Sequence, residues 1–289
     1  MQRLSRDVYT TILDPKLPPA MTVASGEIVV VETWDAYMGS WGADEEPKVT
    51  GPATGPIAVE GAAPGDALRI DILAIEPGPA AMHDVRAGRG FLGDVFTERH
   101  PTVMAIEEGH LLFPGGIKIP TRPSIGLIAT TPAEPQQTAS DSGAYGGDLD
   151  IQELTAGSTL WLPVFTAGGL LVVGDCHAVV GDGAVGGTGA ECAADLTLRL
   201  TVEKASSIKR PRVLTANHFM TIAYANDLTQ AMQQAVQDMV DFLVQDKGMA
   251  PYDAYSLLSL AGDVRMSRTL RDISPVKMML SRQILAQLG

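Results

Sequence analysis

The chain has 289 residues, 45% of them hydrophobic and 19% charged, which is ample for a large core and argues against disorder. Acidic residues number 34 against 21 basic ones, a formal charge of −13 that repels phosphate backbones and anionic lipid and so excludes nucleic-acid and membrane-surface binding as a function. Two cysteines, Cys176 and Cys192, cannot frame a disulfide scaffold or a four-cysteine zinc site.

The opening MQRLSRDVYTTILDP has no apolar stretch after its arginines, so no secretory leader is expected. Three segments then share one pattern: Ala24–Glu32, Ala63–Leu73 and Thr155–Val164 each place a glycine turn before an apolar or alternating run. Glycine supplies the positive φ of a tight turn, and the run after it fits a half-buried strand. The long uncharged run from Leu154 to Gly174 is broken by Pro163 and by Gly168-Gly169, and it reads as two short strands around a turn rather than a membrane span. Leu196–Val202 alternates strictly, as a strand does. Residues 1–208 are therefore expected to be mainly β.

Residues 209–289 read as a mixed α+β part of the same single domain. From Asn226 the apolar residues Leu228, Met232, Met239 and Leu243 recur at helical spacing, with Asn226 or Asp227 as a cap and Gly248 past the end. Pro251 opens a second helix that Gly262 stops, and Ser274-Pro275 is expected to open a third that runs to the C-terminus. Between them DVRMSRTL alternates as one more strand. The fold class is α+β with β dominant, a distorted sandwich or barrel-like core with C-terminal helices packed on it.

The densest chemistry lies between Val172 and Glu191. On an extended segment Asp175 and His177 share one face while Cys176 turns away, and a carboxylate beside an imidazole can hold a divalent ion or pass a proton. Five glycines from Gly181 to Gly189 bring the chain round, so that a hairpin would return Glu191 to the pair. Gly181, Gly183 and Gly186 also spell G-x-G-x-x-G, but no helix follows them and a dinucleotide site is rejected. Both cysteines read as small buried thiols, because strand neighbours point apart and cannot activate them. Asp148 and Asp150, near three glycines, alternate on one face of a segment able to wrap a small ligand. Asp35, at the end of an apolar run, and His83, before Gly88-Arg-Gly, read in isolation as loop residues. His100, His110 and His218 have no polar company and receive no role.

Taken together, GAYGGDLDIQELTAGSTLWLPVFTAGGLLVVGDCHAVVGDGAVGGTGAE, TVASGEIVVVETWDA, TGPIAVEGAAPGDALRIDILAI and AYSLLSLAGDVRMSR resemble the acetamidase/formamidase family over nearly the whole chain. The resemblance implies hydrolysis of a short carboxamide to an acid and ammonia, a β-sandwich-like fold with appended helices, and a homodimer or larger homo-oligomer. Amide hydrolysis needs activated water, a stabilised oxyanion and an acid for the leaving nitrogen. Asp175 and His177, joined by Asp35 or His83, are the candidate ligands of a divalent ion, zinc first and calcium or manganese next. Glu191, Asp150 and Asp148 are the candidate proton carriers. The chain departs from the family twice: Ala184 stands where G-D-G-E is usual, and Asp148 replaces the Asn of G-G-N-x-D. The missing carboxylate leaves a second reading, a small-ligand binding protein that keeps the pocket without turnover. Position 184, in a glycine-rich loop, is expected to reach solvent or substrate without displacing core. A cytoplasmic location is expected.

Overall fold

The structure, a computed structural model, describes residues 1–42, 47, 49–268 and 275–288. Two large sheets face one another. The first has nine strands in the order Gln2–Leu4, Glu27–Thr33, Ala194–Glu203, Ala67–Pro77, Thr159–Pro163, Arg212–Leu214, His218–Ala223, Val276–Ser281 and Gly262–Met266. All its pairings are antiparallel except the first. The second sheet has at its centre Leu171–His177, which pairs with Glu191–Cys192 on one side and Ser124–Ala129 on the other, and which also bonds to Ala53–Val59.

The alternation seen in LTLRLTV explains the sandwich. Leu196, Leu198 and Leu200 are buried while the residues between them are not, so one face of that strand meets the core. They join Val29, Val31, Leu68 and Ile70 from the first sheet and Ile57, Ile125, Leu171, Val173 and both cysteines from the second in one apolar layer. The turn glycines behave as their pattern implied: Gly26, Gly65 and Gly157 have φ of 90°, 91° and 86°, each just before a strand.

Thr159–Pro163 and Leu171–His177, the two strands read around the TAGG turn, do not pair with each other. They belong to opposite sheets, and the turn carries the chain across the sandwich. The C-terminal third also departs from expectation in one element. Helix α1 (Leu228–Gln245) is capped by Asp227, whose carboxylate accepts from Gln230 N at 2.8 Å, and helix α2 spans Pro251–Ala261. The third helix is not formed where it was expected. Val276–Ser281 is a strand between His218–Ala223 and Gly262–Met266, and among the described residues of this stretch only Arg282–Leu285 (α3) is helical. A short apolar run such as VKMML suits either element, and two flanking strands with open edges decide for β. Ser274 lies outside the described residues, as do Thr269 and Leu270 of the DVRMSRTL segment.

The helices pack on the sheet in a second apolar cluster, where Ala231, Ala235, Met239 and Leu243 meet Phe219, Val276, Met278 and Leu280. The buried stripe of α1 thus runs one residue before the expected one at its N-terminal end: Leu228 is exposed and Met232 only half-buried.

Candidate functional site

The cross-strand register brings the first candidates together. Leu171–His177 and Glu191–Cys192 are antiparallel neighbours with His177 opposite Glu191, so the glycine-rich loop closes the hairpin that the spacing suggested. Cys176 points into the sandwich core, while Asp175 and His177 point the other way. His177 Nε2 lies 3.2 Å from Glu191 Oε1, 3.6 Å from Asp150 Oδ1 and 3.9 Å from Asp175 Oδ1. One ligand atom from each of Asp150, Asp175 and His177 falls within 4.8 Å of the others.

Local backbone geometry aims these groups. Asp150 and Asp175 have φ of 48° and 51°, a left-handed conformation that Asp tolerates better than most residues and that clusters at functional sites. Gly126, on the adjoining strand, forms the floor. A Cβ there would collide with the Asp175 carbonyl, and would lie 2.7 Å from His177 Cε1 and 2.8 Å from Asp150 Oδ1, so only glycine leaves room.

All four side chains are buried. Burial pushes the Glu191 and Asp150 carboxyls well above the usual range, with Asp175 adding to both. Burial opposes charge on His177 as well, but Glu191, Asp150 and Asp175 outweigh it and raise the imidazolium to about 10. Asp150 Oδ1, Asp175 Oδ1, Glu191 Oε2 and His177 Nδ1 are buried without a hydrogen-bond partner. Orphaned buried acceptors are costly and rare in a native protein. A pocket of negative potential lined by open carboxylate oxygens and an imidazole fits a divalent cation, which would displace the histidine proton.

Asp150, Asp175 and Glu191 line a cavity of about 220 Å³, and His177 contacts them from outside its lining. Asp148 is on its wall with Arg268, to which it is ion-paired, and Arg268 Nε lies 3.5 Å from Asp150 Oδ2. Arg89 and Tyr37 also line the cavity, joined by a 3.0 Å hydrogen bond from Arg89 Nη1 to the Tyr37 hydroxyl. Five of the expected residues therefore converge: Asp148, Asp150, Asp175, His177 and Glu191.

Two of the expected ligands stand elsewhere. Asp35 is buried, but its carboxylate accepts from Tyr37 N and Gly39 N at 2.9 Å each and from Trp41 Nε1 at 3.0 Å. It shapes the turn that presents Tyr37 to the cavity, and it is outside the Asp150–Asp175–His177 group. His83 lines a second, larger and mainly apolar chamber of about 850 Å³, against Gly186. Ala184 lines the same chamber, is only 4% exposed and has φ of 37°, so it does not reach solvent or the smaller cavity as the loop composition suggested. Thr188 borders both spaces.

Arg268, Arg89 and Tyr37 were not among the sequence candidates. Arg268 sits in a segment read as an alternating strand, and Arg89 in a loop where an arginine is ordinarily solvated. Nothing in the local sequence marks Arg268 as buried, or Arg89 as half-buried, beside a carboxylate cluster.

A family model described as the acetamidase/formamidase family matches residues 10–142 and 134–275. A recombinant predicted acetamidase/formamidase from the thermophile Thermoanaerobacter tengcongensis is 32% identical, with a TM-score of 0.96 covering 100% of this chain and 98% of that one. An acetamidase from Bacillus halodurans is 33% identical, with a TM-score of 0.94 covering 99% of each chain. A formamidase from Methylophilus methylotrophus is 28% identical over 188 residues, 46% of either chain. The chain spans 46–63% of the length of the curated relatives it matches.

Proposed function

From the premise that the chain belongs to the acetamidase/formamidase family, we propose that it hydrolyses the C–N bond of a short linear carboxamide to an acid and ammonia. The observation that carries this reading is the convergence of Asp150, Asp175 and Glu191 on one cavity of about 220 Å³, with His177 Nε2 3.2 Å from Glu191 Oε1, a space suited to a small amide.

Asp150, Asp175 and His177 would hold a divalent ion, zinc first and calcium or manganese as alternatives, since a mixed carboxylate and imidazole set suits each of them. When bound, such an ion supplies a Lewis acid that polarises a carbonyl and acidifies water. Glu191 is the proton carrier in this reading. Its Oε1 accepts from Gly189 N at 3.1 Å and faces His177, which fixes the carboxylate, while Oε2 remains open to take a proton from water and return it to the leaving nitrogen. Arg268 orients Asp148 and Asp150, and Arg89 with Tyr37 adds positive charge and a hydroxyl to the cavity lining, where the amide oxygen gains charge. Asp148 is then a partner of Arg268 rather than a proton carrier.

Ammonia release from formamide, acetamide and a longer amide tests the activity. Glu191→Gln and His177→Ala should each lower turnover by at least about a hundredfold. Elemental analysis before and after chelation tests the ion, and His177→Ala should lower metal content together with turnover. Tight binding of an amide with no ammonia released would favour the binding-protein reading, which Ala184 motivates. A purified protein with no divalent ion, and no response to added zinc, manganese or calcium, would sink the metal-assisted route.

The proposal extends to self-association. Phe91, Leu92, Val95, Phe96 and Val185 are each more than half exposed, and Phe91 N donates to Val185 O at 3.0 Å, an apolar surface suited to a second copy. Light scattering checks it. No helix among the described residues is long and apolar enough to cross a membrane. Two free buried thiols support the cytoplasmic reading.

A further inference from the structure

We propose that Lys277 is a positioning residue for the reaction: a buried ammonium that holds in register three chain segments, each of which supplies a wall of the cavity. Lys277 is fully buried, and lysine is almost never fully buried unless paired. Its Nζ donates to Glu153 Oε2 and to Asp182 Oδ1, both at 2.5 Å. Arg265 Nη1, 3.8 Å from Asp182 Oδ2, offsets the second carboxylate.

Each partner leads to the site by a short covalent path. Glu153 is three residues beyond Asp150. Asp182 begins the glycine-rich loop that returns Thr188 and Glu191. Lys277 itself follows Pro275, whose carbonyl accepts from both Ser267 N at 3.0 Å and Ser267 Oγ at 3.1 Å, and the next residue, Arg268, enters the cavity. The Ser267 carbonyl in turn accepts from Gly183 N at 3.1 Å, tying the C-terminal segment to the loop a second time. None of Lys277, Glu153 and Asp182 borders the small cavity, so the group acts through other residues.

Stability alone does not account for a lysine here. Replacing a buried ion pair with apolar groups of similar volume is often neutral or stabilising, whereas removing one partner is strongly destabilising. What the charge network does supply is direction. Two short ionic hydrogen bonds from one ammonium set where the Asp150 segment and the loop stand relative to the strand that leads to Arg268. An apolar contact would let them slide.

The inference rests on the cavity being the reacting site, and the experiment separates the two. Three proteins are compared with wild type: Lys277→Met, the triple variant Lys277→Met, Glu153→Gln, Asp182→Asn, and the site control Glu191→Gln. Lys277→Met should unfold more easily, because it strands two carboxylates. The triple variant removes those charges and should recover the unfolding midpoint. Its kcat on acetamide should nonetheless stay about a hundredfold low, with KM within a few-fold of wild type, because misplacing reacting groups by about 1 Å costs that much. Hydrogen exchange should quicken at Gly183 and Gly189 in the triple variant while the Val276–Ser281 strand stays protected. Recovery of kcat along with stability, or unchanged loop exchange, would overturn the positioning role. Retained turnover in Glu191→Gln would instead overturn the site reading, and loop exchange then still decides whether Lys277 orders the loop.

Discussion

Replacing Arg268 with methionine removes a buried cation that is paired with Asp148. Arg268 is 9% exposed, and Asp148 and Asp150 are 4% exposed each, so the ion pair is out of water. After the substitution the Asp148 carboxylate loses its ionic partner, Asp150 Oδ2 loses the group 3.5 Å away, and the Asp148 carbonyl loses a 3.3 Å hydrogen bond. Breaking a buried pair by removing one member costs about 3–5 kcal/mol, where an exposed pair would cost at most about 1 kcal/mol. For a chain of this size that corresponds to a fall in Tm of roughly 5–8 °C. Urea unfolding followed by fluorescence measures it, with the m-value unchanged if only stability is affected. Arg268→Met combined with Asp148→Leu should recover much of the loss, since two apolar groups replace a charged couple. Ammonia release should fall in both variants, because Asp150 is no longer oriented. A single variant within about 1 kcal/mol of wild type would refute the premise that the pair is effectively buried.

Gly126→Ala should cut turnover about a hundredfold or more by pushing Asp150 and His177 apart, and wild-type turnover in that variant would show that the floor is not tight. Ala184→Glu should give no gain on formamide, acetamide or a longer amide and should lower stability by about 1–3 kcal/mol, because it puts a carboxylate into a buried, mainly apolar wall; a large increase in turnover would reverse that reading. Burial pushes the Cys176 thiol up to about 12 and the Cys192 thiol well above its usual range, so neither should react with a disulfide reagent at pH 8 until the protein unfolds. Truncation after Ile208 should give insoluble protein, because it strips Arg212–Leu214, His218–Ala223, Val276–Ser281 and Gly262–Met266 from the first sheet; a soluble folded fragment would argue against one folding unit for residues 1–289.

What could be read before folding was whatever depends on neighbours in the chain. Alternation in LTLRLTV, the turn glycines before three strands, the Asp227 cap and the Pro251 start are all local, and each is present. Asp175, His177 and Glu191 were legible for the same reason: a two-residue period sets the face, and a glycine-rich loop closes the hairpin. Asp148 and Asp150 were named from the same alternation, but the strand ends at Asp148 and the left-handed backbone of Asp150 sets its direction.

Other features are settled only by packing. VKMML is a strand because two strands flank it, and STLWL and LLVVG lie in opposite sheets because the core needs a face from each. Asp35 and His83 carry the same ionisable groups as the residues at the site, but one is used up by the turn it caps and the other faces a different chamber. Arg268 meets Asp148 across 120 residues of chain, and Lys277 meets Glu153 across 124. No periodicity reaches that far. Desolvation selects such partners: a charge is buried only where the fold brings an opposite charge to meet it, and that meeting exists only after both sheets have closed.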